Sequence, residues 1–210
     1  MSPAQPITQE RIYREIKAKI MSGHFGMTEK LEAPSLARFY GASVTPVREA
    51  LFRLIGEGLV RTAPDGGFQI QALSRESLKE MYSLIQALLL LSLGRVDRGP
   101  KSASAISSVT DRVERMAAPD AMGGVFHTVL LLAGNRHIVD AGSRLIDRLA
   151  PVRHIEATVI GGTEAEQTKM LDLLHELDFG GLRQAVHSYH RRRIAKAAQL
   201  LTELAMQSLA

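Results

Sequence analysis

The chain has 210 residues, of which 45% are hydrophobic and 23% are charged, a composition typical of a folded globular protein rather than a disordered one. It contains no cysteine, which excludes disulfides, thiolate nucleophiles and cysteine zinc sites, so that any metal would need His, Asp or Glu ligands. The net charge of +4 permits a polyanionic partner. No uncharged apolar run reaches the ~18 residues that span a bilayer, and the first residues do not resemble a secretory signal, so we expect a cytoplasmic protein with no membrane partner.

The chain begins with the patterns of two short helices. Residues 8–22 carry three isoleucines at four-residue spacing, which is the apolar stripe of an amphipathic helix. A second helix is indicated by Pro34, which is tolerated in a first turn, and by Gly41 at the C-terminal end.

A third helix follows a tight turn and begins near Ser43 or Thr45, either of which can cap its free N–H groups. It ends at Gly56 or Gly58. Two β-prone runs then flank residues 64–67, which predicts a hairpin whose glycine tip can take positive φ. Three short helices followed by a hairpin predict a winged helix-turn-helix.

The rest of the chain is predicted to be helical. A helix over 74–94 has apolar residues nearly all round, so we expect it to be buried on most sides, and residues 95–108 form a loop or a weak helix. Further helical patterns, separated by glycine pairs at 123–124, 161–162 and 180–181, cover 107–118, 123–134, 137–159, 164–177 and 180–207. The expected fold is mainly α, with a winged helix-turn-helix domain over residues 1–73 and an all-helical bundle over residues 74–210.

The stretch GASVTPVREALFRLIGEGLV, from Gly41 to Val60, is followed by RTAPDGGFQI. Together they resemble the DNA-binding signature of the GntR family of bacterial transcription regulators, G-V-S-R-T-P-V-R-E-A-L-x-x-L-x-x-x-G-L-V. The resemblance covers residues 8–73, including the leading helix and the hairpin, which is the wing of such a domain. More loosely, the remainder resembles the FCD-like, all-helical effector and dimerisation domain of the FadR-type branch, and FHTVLLLAGN is its clearest piece.

The front of the third helix has the chemistry to enter a major groove. Ser43 and Thr45 can bond phosphates at the positive end of the helix, and Arg48, one turn further along, can pair bidentately with a guanine. Arg53 and Arg61 are candidate phosphate contacts, with a solvated surface role as the alternative. The residues predicted to contact DNA are Ser43, Val44, Thr45, Arg48, Arg53, Arg61 and, at the wing tip, Gly66 and Gly67.

Two positions depart from the family pattern. Val44 and Pro34 stand where members commonly carry Arg or another polar residue. We expect Val44 to face DNA, where an apolar side chain can contact a thymine methyl group. The core side of the helix is then formed by Val47, Leu51, Leu54 and Ile55.

The resemblance also implies where a metal site would lie, because FadR-type regulators commonly hold a metal with one Asp and three His. Here the Asp position is Gly123, and the three His positions are His127, Gln167 and Tyr189. Gln is a poor metal ligand and Tyr would need deprotonation, so we expect no metal and no other cofactor. The alternative is a metal site with His190 in the last position, which a shift of one residue in the alignment would bring there.

The same resemblance bears on the effector. A carboxylate-binding arginine often found in this branch falls at Ile85, which disfavours an acid effector. His127, Gln167 and Tyr189 then become the predicted effector-binding residues, as polar points in an apolar cavity suited to a neutral or aromatic small molecule. The basic run HSYHRRRIAKAAQ is interpreted as the solvated side of the last helix, with a DNA-facing patch as the alternative.

We therefore expect a homodimeric repressor that binds a pseudo-palindromic operator and releases it on binding a small molecule. One recognition helix reads only a few base pairs, and a two-fold pair supplies the rest of the specificity. The alternatives are a metal-dependent enzyme built on the C-terminal histidines and a DNA-binding dimer with no effector. The enzyme is disfavoured because the sequence carries no H-E-x-x-H or nucleophile motif.

Overall fold

The structure is a computed structural model that describes residues 9–96 and 121–207. These residues divide into two compact units, and the boundary falls between Ala72 and Leu73. Residues 205–207 are grouped with the first unit. Within the described ranges, no helix is both long enough and apolar enough to cross a bilayer.

The first unit contains three helices and one antiparallel sheet. Its elements are α1 (Gln9–Met21), β1 (Lys30–Leu31), α2 (Ala33–Tyr40), α3 (Val44–Gly56), β2 (Val60–Thr62) and β3 (Phe68–Ile70). The strand order is β1-β3-β2, so the hairpin of β2 and β3, called the wing here, gains a third strand. The winged helix-turn-helix predicted from the sequence is confirmed, whereas β1 was missed because a two-residue strand shows no periodicity.

One apolar core holds this unit together. Ile12 and Ile16 of α1 are fully buried, and so are Leu51 and Leu54 of α3. Burying a side chain of this size contributes about 1.5–3 kcal/mol. The isoleucine spacing in the sequence therefore identified the inward face of α1.

Left-handed backbone occurs at glycines where the sequence predicts turns. Gly41, which ends α2, has φ 61°, and the wing-tip residues Gly66 and Gly67 have φ 88° and 81°. L side chains rarely adopt these angles. The turn between α2 and α3 and the tip of the wing therefore both depend on glycine.

Five described helices follow the wing. They are α4 (Arg75–Val96), α5 (Ala121–Leu132), α6 (Arg136–Val159), α7 (Thr163–His175) and α8 (Phe179–Gln207). The bounds of α5 to α8 differ by at most two residues from those predicted. The helix predicted over 107–118 lies outside the described residues, as does most of the 95–108 segment, whereas residues 95 and 96 end α4.

One expectation about these helices is wrong, namely that Gly123 and Gly124 separate two helices. Both lie inside α5 and are buried, because packing of a buried helix outweighs a glycine penalty of about 1 kcal/mol. The helix α4 buries seven residues and has one open side, since Leu84 is 53% exposed and Leu91 is 51% exposed.

Helices α5 and α6 approach each other closely at Gly142. A Cβ atom at this position would lie 2.3 Å from Cδ1 of Leu130, a side chain that is itself fully buried.

At the start of α6 the side chain of Asn135 accepts hydrogen bonds from the backbone N–H groups of His137 and Ile138, at 2.9 and 3.3 Å. This cap fixes where α6 begins.

Candidate functional site

The front of α3 is exposed on the first unit. Ser43 occupies the N-cap position with an extended backbone, but its side chain makes no capping hydrogen bond. The helix begins at Val44, which is 38% exposed, and Thr45 and Arg48 are also exposed. A capping role for the Ser43 hydroxyl is therefore wrong, and the helix does not use this group.

The opposite side of α3 faces the core. Val47, Leu51 and Leu54 are fully buried, and Ile55 packs against the same cluster while remaining partly exposed. The division between a buried side and an exposed front follows the predicted pattern, with Val44 on the exposed front.

An aromatic contact joins the exposed front of α3 to the wing. The Cζ atom of Arg48 lies 5.9 Å from the ring centroid of Phe68, which begins β3 directly after Gly67. Phe52, one turn along α3 from Arg48, meets the same ring edge-on at 5.2 Å between centroids and an interplanar angle of 73°. Arg48, the residue predicted to read a base, and Phe52 therefore both contact the ring of Phe68 in the wing.

Arg53 is engaged within the unit. Its Nη1 donates to Glu10 at 2.8 Å, its Nε lies 3.7 Å from a carboxylate oxygen of Glu57, and its Cζ lies 3.6 Å from the ring centroid of Tyr13. Hydrogen bonds from Arg14 and then from Arg53 lower the pKa of Glu10. A phosphate would have to compete with all these partners, which argues against the predicted phosphate contact by Arg53.

Arg61 and the wing tip differ in accessibility. Arg61 of β2 is half-buried, and its Nε is buried without a hydrogen-bond partner among the described residues. Gly66 and Gly67 are exposed, and Asp65 beside them is ion-paired with Lys30 of β1. The hydrogen bond between them lowers the pKa of Asp65 and raises that of Lys30. The negative charge of Asp65 at the wing tip is therefore balanced by the positive charge of Lys30.

A cavity of about 190 Å³ lies in the second unit, lined by residues of α5 to α8. Gln167 and Tyr189 line it, as predicted for effector-binding residues, but His127 does not. The expectation of apolar walls is wrong, because four charged side chains line the cavity. The lining residues are Ala121, Met122, Arg153, Glu156, Ala157, Thr163, Glu164, Gln167, Tyr189 and Arg193.

A buried carboxylate in the cavity wall accepts hydrogen bonds from side chains of three residues. Glu156, which is 4% exposed, accepts a hydrogen bond from the hydroxyl of Tyr82 at 3.0 Å and another from the hydroxyl of Tyr189 at 3.1 Å. Arg193 donates to Glu156 through Nε and Nη2, at 3.0 and 2.7 Å. It also donates to Glu166 of α7 through Nη1 at 2.6 Å. The charges of Arg193 and Glu156 are therefore compensated inside the protein.

The same contacts set the protonation states of these groups. Burial raises the pKa of Tyr82 and Tyr189 well above the ordinary value, and the charge of Glu156 raises both further. Burial alone would lower the pKa of Arg193, but Tyr189 and the carboxylates of Glu156 and Glu166 hold it above its ordinary value. At neutral pH, Tyr82 and Tyr189 are therefore neutral phenols and Arg193 is a charged guanidinium.

The position of Arg193 corrects the interpretation of the basic run as a solvated face. Arg193 is 1% exposed, and it lies midway between Tyr189 and Ala197 on the buried stripe of α8. His190 is also fully buried, whereas Arg191 is exposed. The four-residue spacing was the available signal, but the acidic partners lie on other helices, where spacing along one helix cannot find them.

His190 lies among aromatic rings. Its Nδ1–H donates to the backbone carbonyl of Val186 at 2.7 Å, and its Nε2 is buried without a hydrogen-bond partner in residues 9–96 and 121–207. The rings of Phe126, Tyr189 and Tyr82 lie 5.4, 5.0 and 6.2 Å from the imidazole centroid. Burial lowers the pKa of His190 from 6.5 to about 4.

The residues at the positions where a metal would be expected do not fit one. His127 is not among the residues that line the cavity, Gln167 offers an amide, and the hydroxyl of Tyr189 is hydrogen-bonded to Glu156. In the part of the chain that the structure describes, no three His, Asp or Glu side chains are grouped as metal ligands, and this holds for His190 too. That the protein carries no metal remains a prediction.

Comparison with known proteins agrees with the architecture of the first unit. Residues 8–70 match the profile of the family described as bacterial regulatory proteins, gntR family. The HTH-type transcriptional repressor GlaR of Escherichia coli (strain K12) is 26% identical over 156 residues, which span 68% of this chain and 71% of that protein.

Solved structures share the fold. A transcriptional regulator GntR from Rhodococcus sp. RHA1 superposes with a TM-score of 0.73 at 18% identity, and E. coli McbR/YncC with a TM-score of 0.62 at 19% identity. Each match covers 91% of this chain and 97% of the other. The matched family and relatives are transcription regulators, so the alternative of a metal-dependent enzyme is wrong. The chain is a DNA-binding transcription regulator, and its residues 8–70 form a helix-turn-helix domain of the gntR family.

Proposed function

We propose that the protein acts in the cytoplasm as a homodimeric repressor that binds a pseudo-palindromic operator and leaves it when a small molecule binds the second unit. The observation that carries the DNA-binding part is the exposed first turn of α3. Ser43, Val44, Thr45 and Arg48 are exposed within six residues, next to a wing whose tip is formed by glycine. The positive end of such a helix favours phosphates.

The contacts divide by chemistry. Ser43 and Thr45 hydrogen-bond phosphates and set the register, while Arg48 pairs with O6 and N7 of a guanine. Val44 contacts a thymine methyl group. The backbone of Gly66 and Gly67 approaches the minor groove, with Arg61 as a weaker phosphate contact and Arg53 as the weakest candidate, given its intramolecular partners.

The homodimer is supported by an open apolar stripe on α4. Leu84 and Leu91 are exposed and lie seven residues apart, and Leu88 between them is partly exposed. This spacing places the three leucines on one side of the helix. A second copy of the chain, related by a two-fold axis, buries this stripe and presents two α3 helices to two half-sites.

The effector site is the cavity of the second unit, with Gln167 and Tyr189 in its wall. The ring of Tyr189 is already flanked, since the Cζ of Arg193 lies 3.4 Å from its centroid and the ring of Phe126 lies 5.0 Å away. Stacking of an aromatic ligand on Tyr189 is therefore disfavoured. The balanced charges of the wall favour a small neutral molecule held by hydrogen bonds, and His127 takes no direct part.

Selection of genomic DNA fragments bound by the full-length protein tests the DNA-binding proposal. We expect recovery of a short inverted repeat. An operator in which the sequence of both half-sites is replaced should not be bound specifically. The Arg48→Ala variant should weaken binding to the recovered operator by about 2–6 kcal/mol over two half-sites, because each bidentate contact contributes about 1–3 kcal/mol. Arg136→Ala, an exposed arginine of the second unit, is the matched control. Unchanged affinity of Arg48→Ala would contradict the proposal.

A melting-temperature screen of neutral metabolites tests the effector site. A compound that stabilises the wild type, loses this effect in Gln167→Ala and releases the operator would support it. If no compound stabilises the protein, the alternative of a DNA-binding dimer without an effector is favoured.

A further inference from the structure

We infer that Phe52 is a positioning residue for Arg48 and acts through the ring of Phe68, an inference that rests on the proposed contact of Arg48 with a base. The three side chains form one cluster in the first unit. The Arg48 Cζ lies 5.9 Å from the Phe68 centroid, and the Phe52 ring lies 5.2 Å from the same centroid. Phe68 is the shared member, and it is buried.

The location of Phe68 makes it a fixed support. It begins the central strand of the sheet and pairs with Leu31 of β1 on one side and Thr62 of β2 on the other. Because the backbone of Phe68 is paired on both sides, its ring has a fixed position. The guanidinium of Arg48 is attracted to the face of this ring. The arginine is thereby held near the wing before DNA arrives.

Phe52 supports this arrangement from α3. Phe52 is 56% exposed, so burial in the core does not account for a phenylalanine at this position. Its edge-on contact with Phe68, at 73°, is the geometry that aromatic pairs favour. Arg48 and Phe52 are four residues apart on one side of the helix and therefore contact the same ring from adjacent turns.

Restricting a long side chain before binding lowers the entropy lost on complex formation. Loss of Phe52 should therefore make Arg48 less ordered without removing it. The expected result is weaker operator binding and poorer discrimination of the base pair that Arg48 contacts. Non-specific DNA binding, which depends on the total positive charge, should not change.

The test is a double-mutant cycle on the full-length protein with the operator recovered by genomic selection. Binding of wild type, R48A, F52A and R48A/F52A is measured by fluorescence anisotropy, at a salt concentration low enough for R48A binding to be quantified. F52A should weaken binding about three- to tenfold in the wild-type background and less than twofold in the R48A background. Against an operator with the contacted G·C pair replaced, F52A should bind as the wild type does.

Two further variants separate positioning from a general effect. Phe52→Tyr keeps the ring and should restore wild-type affinity and discrimination. Phe39→Ala removes another exposed aromatic ring, which contacts Tyr40 and has the Lys19 Nζ 4.1 Å from its centroid. This variant should not change the coupling between Arg48 and Phe52. Melting curves should show that all the variants are folded.

Equal losses from F52A in both backgrounds would overturn the inference, because Phe52 would then act independently of Arg48. No loss from F52A in the wild-type background would also overturn it. Unchanged operator affinity of R48A would contradict the proposed function itself, and the inference with it. If R48A is strongly impaired and the F52A loss simply adds to it, only the role of Phe52 is contradicted.

Discussion

At the scale of single residues, Val44 is an apolar side chain at the first position of a helix whose front is exposed. Replacing it by Arg should scarcely change stability, because an exposed helix position accepts Arg at least as well as a β-branched residue. The added guanidinium should tighten binding to DNA in general, steepen the salt slope by about one unit per subunit, and shift preference toward a G·C pair.

Gel-shift titrations of Val44→Arg over a series of salt concentrations measure these effects. Ala141→Arg, which adds the same charge at an exposed position of the second unit, should leave the salt slope as in the wild type. A drop of many degrees in melting temperature, with DNA binding unaffected, would show that Val44 supports the core.

His190 couples the stability of the second unit to pH. Its folded-state pKa of about 4 lies below the ordinary 6.5, so above pH 6.5 the imidazole is neutral in both states. As the pH falls from 6.5 to 4, the unfolded chain binds a proton that the folded chain does not, and about 3 kcal/mol of stability is lost. Below pH 4 this group causes no further loss.

Urea unfolding at pH 7 and at pH 4.5 checks this coupling. The wild type should lose more stability over this interval than His190→Gln, whose amide does not titrate, and the difference should be about 2–3 kcal/mol. Equal losses would mean that His190 is not held neutral by its surroundings.

At the scale of elements, α8 is joined to α6 and α7 by the ion pairs of Arg193 with Glu156 and Glu166. Arg193→Ala leaves a buried carboxylate without its cation and should destabilise the protein by about 3–5 kcal/mol in urea unfolding. Arg191→Ala, an exposed arginine on the same helix, should change stability by less than about 0.5 kcal/mol.

The pair of substitutions Arg193→Met and Glu156→Gln removes both charges and should cost less than Arg193→Ala alone. If the double variant were the less stable of the two, the ion pair itself would contribute net stability rather than merely compensate its own burial.

The sequence predicted elements wherever one helix or turn carries its own signal. The isoleucines of α1, the glycine after α2 and the glycine tip of the wing each report a local backbone state, and the structure confirms them. The exposed front of α3 followed from the same periodicity. The strand β1 gave no such signal, because its two residues are ordered only by pairing with β3.

The site in the second unit was harder to predict. Its key contacts join residues far apart in sequence, such as Tyr82 with Glu156 and Glu156 with Arg193. Charge patterning suggested a solvated face for Arg193, because charged residues are seldom buried unless paired, and the partner could not be recognised. His127 was assigned to the cavity by alignment to a family position, which specifies a helix but not the direction of a side chain.

At the scale of the whole molecule, the proposed binding to a pseudo-palindromic operator requires two copies of the chain. Leu84→Asp with Leu91→Asp should disrupt the proposed dimer, because both charges would be buried where the exposed leucines of two α4 helices meet. Light scattering should then give the mass of a monomer, and operator affinity should fall steeply. Ala141→Asp is the control for an added surface charge. A variant that remains dimeric would place the interface elsewhere.

The close approach of α5 and α6 at Gly142 limits which glycines of this sequence can be replaced. Gly142→Ala would push against the buried Leu130 and should cost about 1–3 kcal/mol, whereas Gly94, also within a helix, has open space around it. Gly94→Ala should therefore raise stability by about 0.5–1 kcal/mol in urea unfolding. In a library of variants selected for folding, Gly94 should be freely replaced and position 142 should remain glycine.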